Sequence, residues 1–118
     1  MTVQAIGSYG ERVAAAYLRR LGYRVLIRNY LTVGGELDLI CRHGEMLVFV
    51  EVRTRGGEEF GRPAESIGAK KEEALRHAAR RYLEQLDRED ILYRFDAVEV
   101  TLHPGELPVC HLIENLFS

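Results

Sequence analysis

The sequence predicts a single α/β domain, a mixed sheet flanked by helices in the order α-β-β-β-α-β-β. Two stretches place apolar residues at helical spacing, five others alternate as strands do, and the strands fall three before the second helix and two after it. The chain's 118 residues, 47% hydrophobic and 29% charged, suit one compact core spanning 1–118. Its paired glycines, Gly34-Gly35 and Gly56-Gly57, are too short to make an interdomain linker, and no internal repeat is present.

The first helix is read from Ser8, which with Glu11 three residues later has the form of a capping box. Val13, Ala14, Tyr17, Leu18 and Leu21 follow at helical spacing until Gly22 ends the pattern. Tyr23 to Tyr30 reads as the first strand. "LTVGG" then turns the chain into a hairpin with strands from Glu36 to Arg42 and from Met46 to Thr54. A polar loop, "RGGEEFGRPAES", leads into a second helix from Ile67 to Leu86, whose apolar stripe is Leu75, Ala78, Ala79, Tyr82, Leu83 and Leu86. Lys71, one turn before Leu75, continues that stripe towards the helix start. Ile91 to Leu102 and Leu107 to Ile113 alternate as the last two strands, joined through "HPGE".

No apolar run approaches the roughly 20 residues that a bilayer span requires, and "MTVQAIGSYGER" lacks the basic-then-apolar order of an export signal. A cytoplasmic protein with no membrane association is the expectation. Cys41 and Cys110 sit in apolar strand context without a CxxC pair or Cys-His cluster, so they read as reduced core thiols. The net charge of −2 does not announce a nucleic-acid binder. Net charge averages over the whole surface, however, and acids gathered in one pocket leave room for a basic face elsewhere. Basic residues do cluster, at Arg19, Arg20, Arg24 and Arg28, at Arg53, Arg55 and Arg62, and at Lys70, Lys71, Arg76, Arg80 and Arg81. Solvated helix faces are the plainer account of them.

Chemistry enters with "GELDLICRHGEMLVFVEVRTR". Glu36, Asp38 and Glu51 interrupt runs that otherwise read as buried strand, and a buried carboxylate is costly unless paired or bound to metal. A turn at His43-Gly44, or through the four residues Arg42 to Glu45, sets Asp38 opposite Phe49 and Glu36 opposite Glu51. All three acids then share one face, with Asp38 and Glu51 diagonal neighbours roughly 7 to 8 Å apart. Arg53, two residues beyond Glu51, projects from the same face. Carboxylates so placed suit a hard cation such as Mg²⁺, which activates water and neutralises charge on a phosphodiester, while a nearby basic group holds the phosphate. The alternative is a buried ion pair of Arg53 with Asp38 or Glu51 and no metal. Three acids against one arginine tilt the balance to metal, since like charges about 4 Å apart repel by about 4 kcal/mol at an effective dielectric of about 20. Glu11 is either the capping-box residue or a further group at the mouth of the pocket. Lys71 is either a lysine whose stem lies along apolar surface or a phosphate contact. Asp96 alternates with Arg94 and reads as its local partner.

Four segments, "GSYGERVAAAYLRRLGYRVLIRNY", "GGELDLICRHGEMLVFVEVRTR", "SIGAKKEEALRHAARRYL" and "RFDAVEV", resemble in order and across nearly the whole chain the YraN family of small bacterial proteins. That family is similar to the restriction endonuclease-like superfamily and close to archaeal Holliday junction resolvases. The resemblance implies a restriction endonuclease-like fold, bound Mg²⁺ or Mn²⁺, DNA as substrate, branched DNA included, and a homodimer. The superfamily's Asp and Glu-x-Lys motif falls on Asp38, Glu51 and Arg53 as the catalytic positions. The resolvase-like helix-one glutamate falls on Glu11, and the lysine opening the second helix on Lys71. The metal set is then Asp38, Glu51, Glu11 and Glu36, and the nucleic-acid contacts are Lys71, Lys70, Arg55 and Arg62. One position departs: the motif lysine is Arg53, which keeps its proton at any working pH, cannot act as a general base, and presents a planar fork. Transition-state stabilisation remains open to it, and Lys71 reaching in as the substitute cation is a second route. The functional expectation is a metal-dependent endonuclease hydrolysing phosphodiester bonds in DNA. Its alternative is a nuclease-fold module that binds nucleic acid or a protein partner without cutting.

Overall fold

The structure, a computed structural model that describes residues 2–56 and 68–117, has the expected element order. Helix α1 spans Val3–Arg20, followed by β1 at Arg24–Thr32, β2 at Gly35–His43 and β3 at Met46–Gly56. Helix α2 spans Ala69–Glu84, with β4 at Tyr93–Leu102 and β5 at Val109–Ile113 after it. The strands form one mixed sheet in the order β1-β2-β3-β4-β5. Neighbours are antiparallel except β3 and β4, which run parallel and are joined through α2, as a parallel pair requires a crossover. None of the described helices is long and apolar enough to cross a membrane.

Helix α1 begins well before Ser8. Thr2 is its N-cap, the hydroxyl accepting from the Ala5 N–H at 3.0 Å. With the first free N–H groups already served there, Ser8 and Glu11 lie in mid-helix and form no capping box. Gly22 ends the helix at φ +94, where the Tyr23 N–H reaches the Leu18 carbonyl and the Gly22 N–H reaches Arg19. The expected start of α2 at Ile67 lies outside the described residues.

Strand β3 is buried on both faces, as a central strand beside a parallel neighbour must be. Val48 and Val50 join Leu39, Cys41, Val98 and Val100 beneath Ala14, Ala15 and Leu18 of α1. Phe49 joins Leu37, Ile40, Leu47 and Phe95 beneath Leu75, Ala78, Ala79 and Tyr82 of α2. One helix therefore covers each face. Asp96 is fully buried and fully served: it accepts from Arg94 Nε at 3.0 Å, from the Tyr23 hydroxyl at 3.1 Å and from the Asn115 N–H at 3.1 Å. Both cysteines are free thiols, Cys41 buried and Cys110 half-buried.

Two glycines draw the helices down onto the sheet. A Cβ at Gly10 of α1 would collide with the Thr54 side chain on β3, and one at Gly35 would stand 2.6 Å from the Ala74 carbonyl of α2. Glu11 adjoins the first of these contacts in sequence, and Lys71 lies one helical turn before the second. Gly10→Ala is expected to cost about 1–3 kcal/mol by urea denaturation through this overpacking. Part of the loss should return in a Thr54→Ala background, which removes the hydroxyl and methyl that the new Cβ meets.

Candidate functional site

The β2–β3 turn is Gly44-Glu45, with Gly44 at φ +63, and the ladder pairs His43 with Met46, Cys41 with Val48 and Leu39 with Val50. The turn thus falls one residue later than the sequence reading had it. A two-residue turn with glycine first satisfies the positive φ, and the pairing moves by two residues. Phe49 faces Ile40 rather than Asp38, and continuing this register past its last pair would set Asp38, not Glu36, across from Glu51. An even displacement preserves which face each residue occupies.

Strict alternation nevertheless fails at Asp38. Leu39 and Cys41 pack under α1, but Leu37 and Ile40 both pack under α2, so β2 changes its presentation between 37 and 39. Beside it, β1 carries Asn29 at φ +56, between the pairs Arg28 with Leu39 and Tyr30 with Leu37. Continuing the hairpin's alternation would give the next exchange of backbone bonds to Leu37 and Val52. The Val52 N–H donates instead to Asp38 Oδ2 at 2.8 Å. The carboxylate therefore lies against the β3 backbone where the two strands part.

Glu51 faces α2, with Lys71 Nζ 3.4 Å from its Oε1. Burial pushes the Glu51 carboxyl up to about 7; neighbouring Asp38 adds to the rise, while Lys71 and Arg53 oppose it. Asp38 is raised as well, chiefly by burial, against the hydrogen bond from Val52 and the charge of Lys71. Glu11 approaches from α1. Burial raises it, Asp38 and Glu36 add to this, and Arg28 opposes. Its Oε1 is inaccessible and has no hydrogen-bond partner among the described residues. Glu36 is exposed at the start of β2, close enough to raise both Glu11 and Asp38.

Among the described residues, the ion pair at Arg53 is with Glu99 rather than with Asp38 or Glu51. Arg53 Nη1 stands 4.0 Å from Glu99 Oε2, and Arg55 Nη2 stands 3.7 Å from the same oxygen. The parallel ladder causes this by setting Arg53 level with Glu99 of β4. Glu99 escapes the sequence reading. Its only signal is the alternation of "DAVEV", which says nothing of what lies across the crossover. Lys70 is exposed in the first turn of α2, Arg55 is half-buried, and Arg62 lies outside the described residues.

Oxygen donors are what a hard divalent cation takes, and among the described residues Glu11 Oε1, like Glu99 Oε2 beside Arg53, is buried with no hydrogen-bond donor. Glu11 and Glu51, whose pKa values the neighbouring Asp38 raises, also gain from added positive charge. The donor set thus fits Mg²⁺ or Mn²⁺ by type and charge. The side chains are not drawn into a ready-made cage: among the described residues, no group of three or more His, Cys, Asp or Glu side chains is arranged to hold a metal ion.

The model of the family described as Uncharacterised protein family UPF0102 matches residues 10–100, a span that runs from before Glu11 to beyond Glu99. The chain belongs to this family. A UPF0102 protein of Symbiobacterium thermophilum is 44% identical over 112 residues, covering 95% of each chain. Another, of Syntrophotalea carbinolica, is 43% identical over 113 residues, 94% of this chain and 92% of its own. A third, of Caldicellulosiruptor saccharolyticus, is 36% identical over 118 residues, 99% of this chain and all of its own. UPF0102 is the family to which the YraN likeness in the sequence points.

In the absence of divalent cation, the folded UPF0102 chain resists charging Glu51 more than the unfolded chain does. The stabilising effect of its proton is complete below about pH 4.5 and is lost as pH rises through about 7. Glu51→Gln, which cannot charge, is expected to match the parent near pH 4.5 and to exceed it by about 3 kcal/mol at pH 8. Urea denaturation in EDTA at the two pH values measures the difference.

Proposed function

We propose that this UPF0102 protein is a metal-dependent endonuclease that hydrolyses phosphodiester bonds in DNA. The observation that carries the reading is the parting of β2 from β3 at Asp38, which sets one carboxylate against the β3 backbone and near enough to the half-buried Glu51 to raise its pKa. In this reading Asp38 and Glu51 hold Mg²⁺ or Mn²⁺, with Glu11 from the α1 side and Glu36 completing the donors. When bound, the ion supplies an activated water and positive charge against the phosphate. The Val52 N–H fixes the Asp38 carboxylate through Oδ2, leaving Oδ1 for a ligand. Hydrolysis adds one water across the ester: its oxygen bonds to phosphorus, the bond to the leaving oxygen breaks, and that oxygen departs with a proton. Lys71 is the cation paired with Glu51, with Arg53 beside it, and Lys70, Arg55 and Arg62 are the proposed contacts to the nucleic-acid backbone. Branched DNA met by a homodimer is the substrate that the resolvase likeness favours.

A second reading has its own observation. Arg53 occupies the motif-lysine position and stands beside Glu99, an arrangement suited to a nuclease-fold module that binds nucleic acid or a protein partner without cutting. Calorimetric titration of Mn²⁺, with and without a four-way DNA junction, separates the two. The nuclease reading expects Mn²⁺ uptake that Asp38→Ala weakens by about tenfold or more, and Mn²⁺-dependent cleavage that Glu51→Ala abolishes. Junction binding without cleavage selects the module instead. A parent chain that takes up no Mn²⁺ rejects the proposed metal site.

A further inference from the structure

Among the described residues, Lys71 and Arg53 are the cations whose charge lowers the Glu51 pKa, and their surroundings differ. Lys71 Nζ lies 3.4 Å from Glu51 Oε1, whereas Arg53 Nη1 stands 4.0 Å from Glu99 Oε2, an oxygen also 3.7 Å from Arg55. Exposure separates them further: 45% of the Lys71 side chain is accessible, against 17% of Arg53. A DNA strand arrives from solvent, and of these two cations the ammonium is the more open to it. An ammonium carries three N–H donors on a rotating head, so it can keep one on Glu51 and turn another to a phosphate oxygen, whereas a guanidinium is a fixed fork. The backbone explains why a helix delivers this charge. Because Gly35 has no Cβ, α2 closes onto the start of β2, which sets the preceding turn of the helix within a lysine's reach of Glu51 on β3.

We infer that Lys71 is the catalytic cation that contacts the scissile phosphate, and that Arg53 is a positioning residue whose charge, with that of Arg55, offsets the half-buried Glu99 beside the site. This rests on the nuclease reading for the identity of the ligand. Lys71 makes and breaks no covalent bond. It donates hydrogen bonds to a non-bridging oxygen and offsets the charge that grows there as water adds to phosphorus.

Single-turnover cleavage of a four-way DNA junction in Mn²⁺ tests the assignment. Lys71→Ala should lower the rate constant by about 100-fold or more, with Mn²⁺ affinity no weaker than the parent's, since a cation that competes for Glu51 is removed, and added ethylammonium should restore part of the loss. Lys71→Met, which keeps the apolar stem, should lose as much and guards against a folding defect. Arg53→Gln should cost about fivefold at most, the scale of a single ion pair of modest strength. A loss in Arg53→Gln equal to or above that in Lys71→Ala, or a Lys71→Ala rate that ethylammonium leaves unmoved, overturns the inference. If the parent does not cleave, the nuclease reading has failed, and Lys71 is judged from junction binding in Ca²⁺ by fluorescence anisotropy. There Lys71→Met should reduce the slope of log affinity against log salt by about one while Arg53→Gln leaves it in place; equal slopes overturn the assignment.

Discussion

A single backbone donor organises the candidate site. The Val52 N–H of β3 takes its acceptor from the Asp38 side chain, and that substitution lets β2 leave its partner without orphaning a donor. Had the regular ladder continued, the Asp38 carboxylate would have had no call on the β3 backbone. The same bond fixes the carboxylate's place, so the geometry of the acid pair is set by main chain rather than by a flexible side-chain contact.

Among the described residues, the buried Asp96 and the half-buried Glu11, Asp38 and Glu51 make an informative contrast. Asp96 is surrounded by donors from Arg94, Tyr23 and Asn115, so it joins β4 to the start of β1 and to the segment after β5 as a closed network. Glu11, Asp38 and Glu51 are raised by burial, Glu11 and Glu51 also by Asp38, and Asp38 also by Glu36, and Glu11 keeps an oxygen with no hydrogen-bond partner among the described residues. A fold that can satisfy a buried carboxylate so completely at one place, and leaves a group of them short of positive charge at another, holds the second group at a cost to stability. Such costs concentrate where a ligand repays them.

Much of this was legible in residue spacing. Both helices, all five strands and the family likeness follow from periodicity and from "GELDLI" with "VFVEV", because each depends on neighbours close in sequence. The face shared by Glu51 and Arg53 follows from the period of two. What escaped depended on distant partners. The S-x-x-E pattern at Ser8 was genuine as a pattern, but Thr2 had already capped the helix. The break in alternation at Asp38 requires the left-handed Asn29 on the neighbouring strand and a helix on each face, which no local pattern encodes. Glu99 came level with Arg53 only through a parallel register set across the α2 crossover.

The topology also sets an order on folding. The first three strands are consecutive hairpins with two-residue turns, and their pairings are local, whereas β4 must return from beyond α2 to reach β3. Until that closure occurs, β3 offers an unpaired edge with Val48, Phe49 and Val50 along it, and Asp96 lacks its Tyr23 partner. The nascent chain therefore carries its stickiest edge longest. Docking of β4 is the step that covers this edge.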